Sequence, residues 1–148
     1  MSTATDIRRT DPANRVAGRH VTYFEEPDIV YMKFGGEVSA DEGIELLRRQ
    51  LIMAEGRSRV FFLIDAEHLE KIAPEARKAV AESLKDIPLH GMCVFAAPLK
   101  AKVITKLIIT AINLFRKDSE LNQVAFFDTE QEARDWIAAR RQVTANGK

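Results

Sequence analysis

Two short, nearly continuous apolar runs, residues 60–65 (VFFLID) and 91–97 (GMCVFAA), constrain the fold more than any other feature of the chain. Each has the length of a strand, and neither alternates apolar with polar residues. A strand that is apolar on both faces must be covered on both faces, which is the position of a central strand in a parallel sheet. The segments between and after the runs carry helical periodicity. Strands alternating with helices imply mainly parallel pairing through right-handed crossovers.

The flanking segments complete the pattern. Residues 20–25 (HVTYFE) and 28–34 (DIVYMKF) are rich in β-branched and aromatic side chains, and Glu26-Pro27 between them is turn material, so they read as a hairpin. In the second run Val30, Met32 and Phe34 make one apolar face, while Ile29, Tyr31 and Lys33 make a mixed one. Ser39-Ala40-Asp41-Glu42 is a capping box that opens a first helix over 40–54, with Ile44, Leu47, Leu51 and Ala54 as its buried stripe. Pro74 suits the first turn of a second helix over 74–86, with Ala76, Val80, Leu84 and Ile87 inward. A third helix is predicted over 99–116 and a last strand over 122–127 (NQVAFF). Thr129 and Glu132 form another capping box, opening a fourth helix to Gln142 with Ala133, Trp136 and Ile137 inward.

The expected architecture is therefore α/β: a five-stranded mixed, mainly parallel sheet with an N-terminal β-hairpin and four helices, in the order ββαβαβαβα, forming one domain over 19–142. Residues 1–18 hold almost no large apolar side chains and read as a flexible, mildly basic tail bearing Arg8, Arg9 and Arg15, and residues 143–148 read as a frayed end.

Composition narrows the function classes. The 148 residues are 46% hydrophobic and 30% charged, enough for one core, and 22 acidic residues balance 22 basic ones, so no basic nucleic-acid face is expected. The single cysteine, Cys93, reads as a small buried hydrophobe in mid-strand. It has no partner for an internal disulfide, and the first residues contain no apolar signal core, so a cytoplasmic location is expected. The longest apolar stretch, 103–115, is interrupted by Thr105, Lys106, Thr110 and Asn113 and falls short of the roughly 20 apolar residues that cross a bilayer.

Catalytic chemistry finds little support. His20 and His90 lie beside predicted strands with no cysteine or acid near them in sequence, and His68, within Asp65-Ala66-Glu67-His68-Leu69-Glu70, lacks a second histidine at metal-binding spacing and reads as a solvated loop residue. There is no glycine-rich phosphate loop and no nucleophile elbow, so neither a cofactor nor a metal is expected. Asp65 ends a central strand, where open α/β sheets place functional groups. An aspartyl-phosphate site would use Lys100 or Lys102 and a pair of acids after the preceding strand, but that position reads Phe34-Gly35-Gly36. Asp65 is taken as a turn residue that closes the strand, and the chain as no enzyme.

The third helix is the least ordinary segment. Lys102, Lys106, Thr110, Asn113 and Lys117 make one narrow polar stripe, and apolar residues including Ile108, Ile109, Ile112 and Phe115 cover the rest. Three readings follow: burial under the fourth helix and Trp136, a homodimer interface, or a lipid-facing surface on which the lysines meet anionic head groups.

The order of elements, the hairpin ending in Phe34-Gly35-Gly36-Glu37-Val38-Ser39-Ala40-Asp41, the strands 60–65 and 92–97, and the closing Val124-Ala125-Phe126-Phe127-Asp128 before Ala133 and Trp136-Ile137 resemble the STAS domain (sulfate transporter and anti-sigma-factor antagonist). The likeness is greater to its SpoIIAA-like branch, which is also linked with SEC14-type lipid-binding domains, and it spans about residues 21–140. It implies a non-enzymatic interaction or regulatory module, self-associating or bound to a regulatory protein, or alternatively a carrier of a lipid or small apolar ligand near the third helix. Anti-sigma antagonists place a phosphorylatable serine at the start of the helix after the central strand; here that stretch reads Ile72-Ala73-Pro74-Glu75-Ala76, with no serine or threonine between Ser58 and Ser83. The resemblance points to the loop bearing Asp65, Glu67, His68, Glu70, Pro74 and Glu75 as a contact surface, with Lys102, Lys106, Ile108, Ile109, Ile112 and Phe115 as a dimer- or lipid-facing helix.

Overall fold

A computed structural model describes residues 4–84, 87–115 and 124–147. The sheet has six strands in sequential order: β1 (Arg15–Val16), β2 (His20–Glu25), β3 (Ile29–Lys33), β4 (Val60–Asp65), β5 (Leu89–Phe95) and β6 (Val124–Phe127). β1, β2 and β3 pair antiparallel, and β3 to β6 pair parallel. The helices are α1 (Ala4–Thr10), α2 (Ala40–Ala54), α3 (Pro74–Leu84), α4 (Leu99–Phe115) and α5 (Glu130–Gly147), with a short 3-10 turn at Pro12–Asn14. The predicted ends at Asp86, Arg116 and Asn122, and the stripe residue Lys117, lie outside the described residues.

The topology dictates which helix covers which face. α2, α3 and α4 each connect one parallel strand to the next, and every step runs in the same direction across the sheet. Right-handed crossovers that step one way put their helices on one face. One core accordingly joins α2, α3 and α4 to Val30, Met32, Phe62, Ile64 and Val94. The other face buries Tyr23, Tyr31, Phe61, Leu63, Cys93 and Phe95 beneath α5, through Ala133 and Ile137. Burial of α4 under α5 and Trp136 is thus excluded, because the two helices lie on opposite sides. Trp136 packs instead on Gly91, where a β-carbon would stand 2.7 Å from the indole, and its ring centre lies 6.4 Å from that of Phe127.

Local signals explain most elements. Ser39 Oγ accepts from the Glu42 backbone and Glu42 reaches back to the Ser39 N–H, so both bonds of the capping box are made. The Thr129–Glu132 box also forms. α2 is rotated from the predicted stripe: it buries Gly43, Leu46, Leu47, Gln50 and Ala54, and leaves Ile44 and Leu51 exposed. The cause is Gly43, whose missing side chain is the space that Ala76 of α3 occupies. Helix rotation is set by this close approach rather than by the largest apolar side chains.

Two further corrections concern the ends. Residues 4–16 are not an unstructured leader: α1, the 3-10 turn and β1 fold onto the sheet, raising the strand count from five to six and the helix count from four to five. At the other end the helix continues through Gly147 where fraying was expected. Within the expected helix, the Arg141 guanidinium binds both carboxylate oxygens of buried Asp28, at 2.6 Å for the shortest contact, while Arg140 donates to the His90 carbonyl. These bonds anchor α5 to the sheet at Arg140 and Arg141.

Candidate functional site

The loop after β4 is built as a fixed platform. Asp65 is half-buried, and its Oδ1 accepts from the Glu67 N–H at 3.1 Å, closing the strand with an Asx turn. Leu69 is buried and anchors the loop from below. Glu70 donates its N–H to the Gly36 carbonyl, and Val38 and Ile72 form an isolated parallel bridge that ties the loop to the segment after β3. The outcome is an open groove in which Glu67, His68 and Glu70 face Gly35, Gly36 and Lys100. Pro74 and Glu75 lie apart from it, exposed on the first turn of α3. Among the described residues, no three His, Cys, Asp or Glu side chains are grouped so as to hold a metal ion.

The structure redistributes the residues assigned to the third predicted helix, α4. Ile109 and Ile112 are core residues, buried together with Ala101 and Thr105, and so cannot face a partner. The spacing of these four marks the true inward stripe. Ile108 and Lys102 are half-buried, Lys106 is exposed with its ammonium 5.7 Å from the Phe126 ring centre, and the Phe115 side chain lies outside the described residues. The outward ridge consists instead of Leu99, Val103 and Leu107, exposed by 78%, 51% and 55%. Their i, i+4, i+8 spacing is visible in the sequence, but on a helix that is apolar nearly all round it cannot be told from the buried stripe.

Beneath α4, between the helices and the sheet, lies an apolar cavity of about 70 Å³ lined by Met32, Phe62, Met92, Leu46, Val80 and Ile108 among others. Its two polar lining residues are already engaged: Gln50 donates to the Met32 sulfur at 3.3 Å, and Thr105 donates to the Ala101 carbonyl at 2.9 Å. The volume exceeds that of one water, but the lining offers a water few partners.

A polar cluster the sequence reading missed sits where β2, β3 and α2 meet. His20 was expected to have no acidic partner, yet its Nε2 lies 3.1 Å from Glu42 Oε1, and its side chain is fully buried. Its Nδ1 accepts from the Gly35 N–H at 3.1 Å, which assigns the hydrogen to Nε2. Glu42 Oε1 also accepts from the Ser39 N–H and from Arg19. Burial works against the ionised carboxyl, but the Ser39 N–H, His20 and Arg19 outweigh it and hold Glu42 below the usual carboxylate range. The partners are 22 residues apart, and pairing at that distance leaves no local signal.

No protein-family model matches the chain, and no curated protein does. A solved structure described as an uncharacterized protein of the DUF3478 family with a SpoIIAA-like fold, from Shewanella loihica PV-4, superposes with a TM-score of 0.56 over 79% of this chain and 90% of that one, at 15% sequence identity. The likeness is one of fold, and the chain is an α/β domain of that fold class. Its fold, more specifically, is SpoIIAA-like, as the order of elements implied. Among the described residues, no helix is long and apolar enough to cross a membrane.

Proposed function

We propose that this chain is a non-enzymatic STAS-like interaction module that self-associates through the outer ridge of α4. The observation that carries the reading is the exposure of Leu99, Val103 and Leu107 on successive turns of one helix face. Single exposed apolar residues are ordinary, but a ridge aligned over three turns of one helix marks an association site. Leu107, Ile108 and Ala111 open onto a trough shared with Ala81 of α3 and rimmed by Arg77, Lys78 and Glu82. α4 carries Lys100, Lys102 and Lys106 and no acid, so Glu82 offers the counter-charge to a lysine of a second copy. A two-fold pairing of this kind uses the same patch on both subunits. The serine-based switch of anti-sigma antagonists has no counterpart in the loop leading to Pro74 and Glu75.

Sedimentation velocity on the wild type and on Leu107→Glu tests the reading. A dimer that dissociates in the variant, with the helical circular dichroism unchanged, is the expected result. A wild type that stays monomeric at its highest soluble concentration refutes it.

The cavity under α4 favours a second reading, that of a carrier for a lipid or small apolar ligand. The enclosed space is too small for an acyl chain as it stands, so loading requires α4 to move outward. Native mass spectrometry of protein purified gently from its host reads this directly: a bound apolar mass supports it, and a clean apo mass opposes it.

A further inference from the structure

The face of the sheet opposite α4 carries a contact that neither reading uses. α1 is inverted relative to an ordinary amphipathic helix: its one large apolar residue with a described side chain, Ile7, is 59% exposed, while Arg8 and Arg9 turn inward. Arg9 lies over Tyr31, with its guanidinium carbon 4.1 Å from the ring centre. Its Nε donates to the Tyr23 hydroxyl at 3.1 Å and its Nη2 to Glu130 at 2.8 Å. Tyr23 and Tyr31 are themselves stacked, with ring centres 4.8 Å apart. Arg8 stands 5.8 Å from the Tyr23 ring centre and 4.0 Å from Glu25.

These groups make a cradle for a guanidinium: an aromatic ring beneath it, and a hydroxyl and a carboxylate that accept its hydrogen bonds. Its charge is unbalanced without α1. Glu25 and Glu130 both bind Arg134, so two carboxylates face one resident cation and leave room for one more positive charge. Asp65, at the end of β4, adds its negative field at Tyr31. The cover is also imperfect. The Tyr31 hydroxyl is fully buried and has no hydrogen-bond partner among the described residues.

What holds α1 in place is polar. Asn14 donates to the Arg8 carbonyl and Arg15 to the Arg9 carbonyl, and these bonds together with the arginine contacts form its attachment. A helix of 7 residues has little stability of its own, so removal of the arginine contacts releases it. We propose that Tyr23, Tyr31, Glu25 and Glu130 form a recognition site for an arginine side chain, that α1 fills it in cis, and that an arginine-bearing segment of a partner protein takes the site by displacing α1. The site lies on the opposite sheet face from α4 and stands whether or not the domain self-associates.

The test uses the full chain with Arg9→Ala, which vacates the cradle, and a synthetic peptide of residues 4–15 as the probe. Calorimetry is expected to show the peptide binding the variant about tenfold tighter than the wild type. The same peptide carrying alanine in place of Arg8 and Arg9, or a receptor with Glu130→Gln added, loses that gain. Equal binding to both proteins, no binding to a folded Arg9→Ala variant, or indifference to Glu130→Gln overturns the proposal. Hydrogen exchange on the wild type gives a reading that needs no variant. Excess peptide should accelerate exchange in residues 4–10, and unchanged protection there overturns displacement.

Discussion

Replacing His20 by alanine probes a buried polar junction that ties the antiparallel hairpin to the first crossover helix. The imidazole accepts from Gly35 at the end of β3 and donates to Glu42 inside the α2 cap, and its ring meets Phe34 edge-on with centres 6.2 Å apart. Two costs add. Leaving the Gly35 N–H without its acceptor costs about 1–2 kcal/mol, and the space vacated by a fully buried ring costs about 1 kcal/mol or more. The sum, roughly 2–3 kcal/mol, is a large fraction of the ~5–15 kcal/mol that stabilises a typical domain. For a chain of this length it corresponds to a drop in Tm of roughly 5–10 °C by calorimetry. The structure adds a sharper expectation. Because His20 Nε2 donates directly to Glu42 Oε1, the double-mutant cycle of His20→Ala with Glu42→Ala should show a coupling of about 0.5 kcal/mol or more. A Tm within about 1 °C of the wild type, or strict additivity in the cycle, would refute the junction as described.

Two other predictions follow from burial and charge. Burial pushes the Cys93 thiol up to about 12, so a thiol reagent should leave the native protein unmodified and react only after denaturation; stoichiometric labelling of native protein would contradict its place under Ala133. At Glu130, burial opposes ionisation, but the bonds from Arg9 and Arg134 prevail and hold its carboxyl below the usual carboxylate range. A carboxyl with a depressed folded pKa contributes stability that is present above the unfolded value and lost as pH falls through the folded one. Protection of residues 4–10, taken relative to the intrinsic exchange rate at each pH, should therefore fall as the solution is acidified below that range, while unchanged protection would argue against the Arg9 contact.

Elements that depend on neighbours in sequence were legible in the chain. The capping boxes at Ser39 and Thr129, the hairpin around Glu26-Pro27 and the inward set Ala133, Trp136 and Ile137 all rest on spacings of a few residues. What escaped depends on distant partners. The first residues carry no apolar pattern because arginines on tyrosine rings hold α1, and no periodicity reports such contacts. The rotation of α2 was set by Gly43 against Ala76 on another helix. For α4, the apolar residues were recognised but their inner and outer faces were exchanged in part, since Ile109 and Ile112 serve the core while Leu99, Val103 and Leu107 face outward. A helix that is apolar nearly all round hides its orientation until the sheet beneath it is known.

The unidirectional march of β3, β4, β5 and β6 has one more consequence. In open α/β sheets a ligand crevice forms at the carboxyl ends of the strands where the winding reverses, because two neighbouring connections then leave in opposite directions and part the loops. The parallel strands of this domain never reverse. Their three connections all leave toward the same side, and Pro74 and Leu99 begin helices that close over one face without parting. The scaffold thus opens no switch-point crevice, and the groove between Gly36, Glu67 and Lys100 at the carboxyl ends of these strands is shaped by the loops alone.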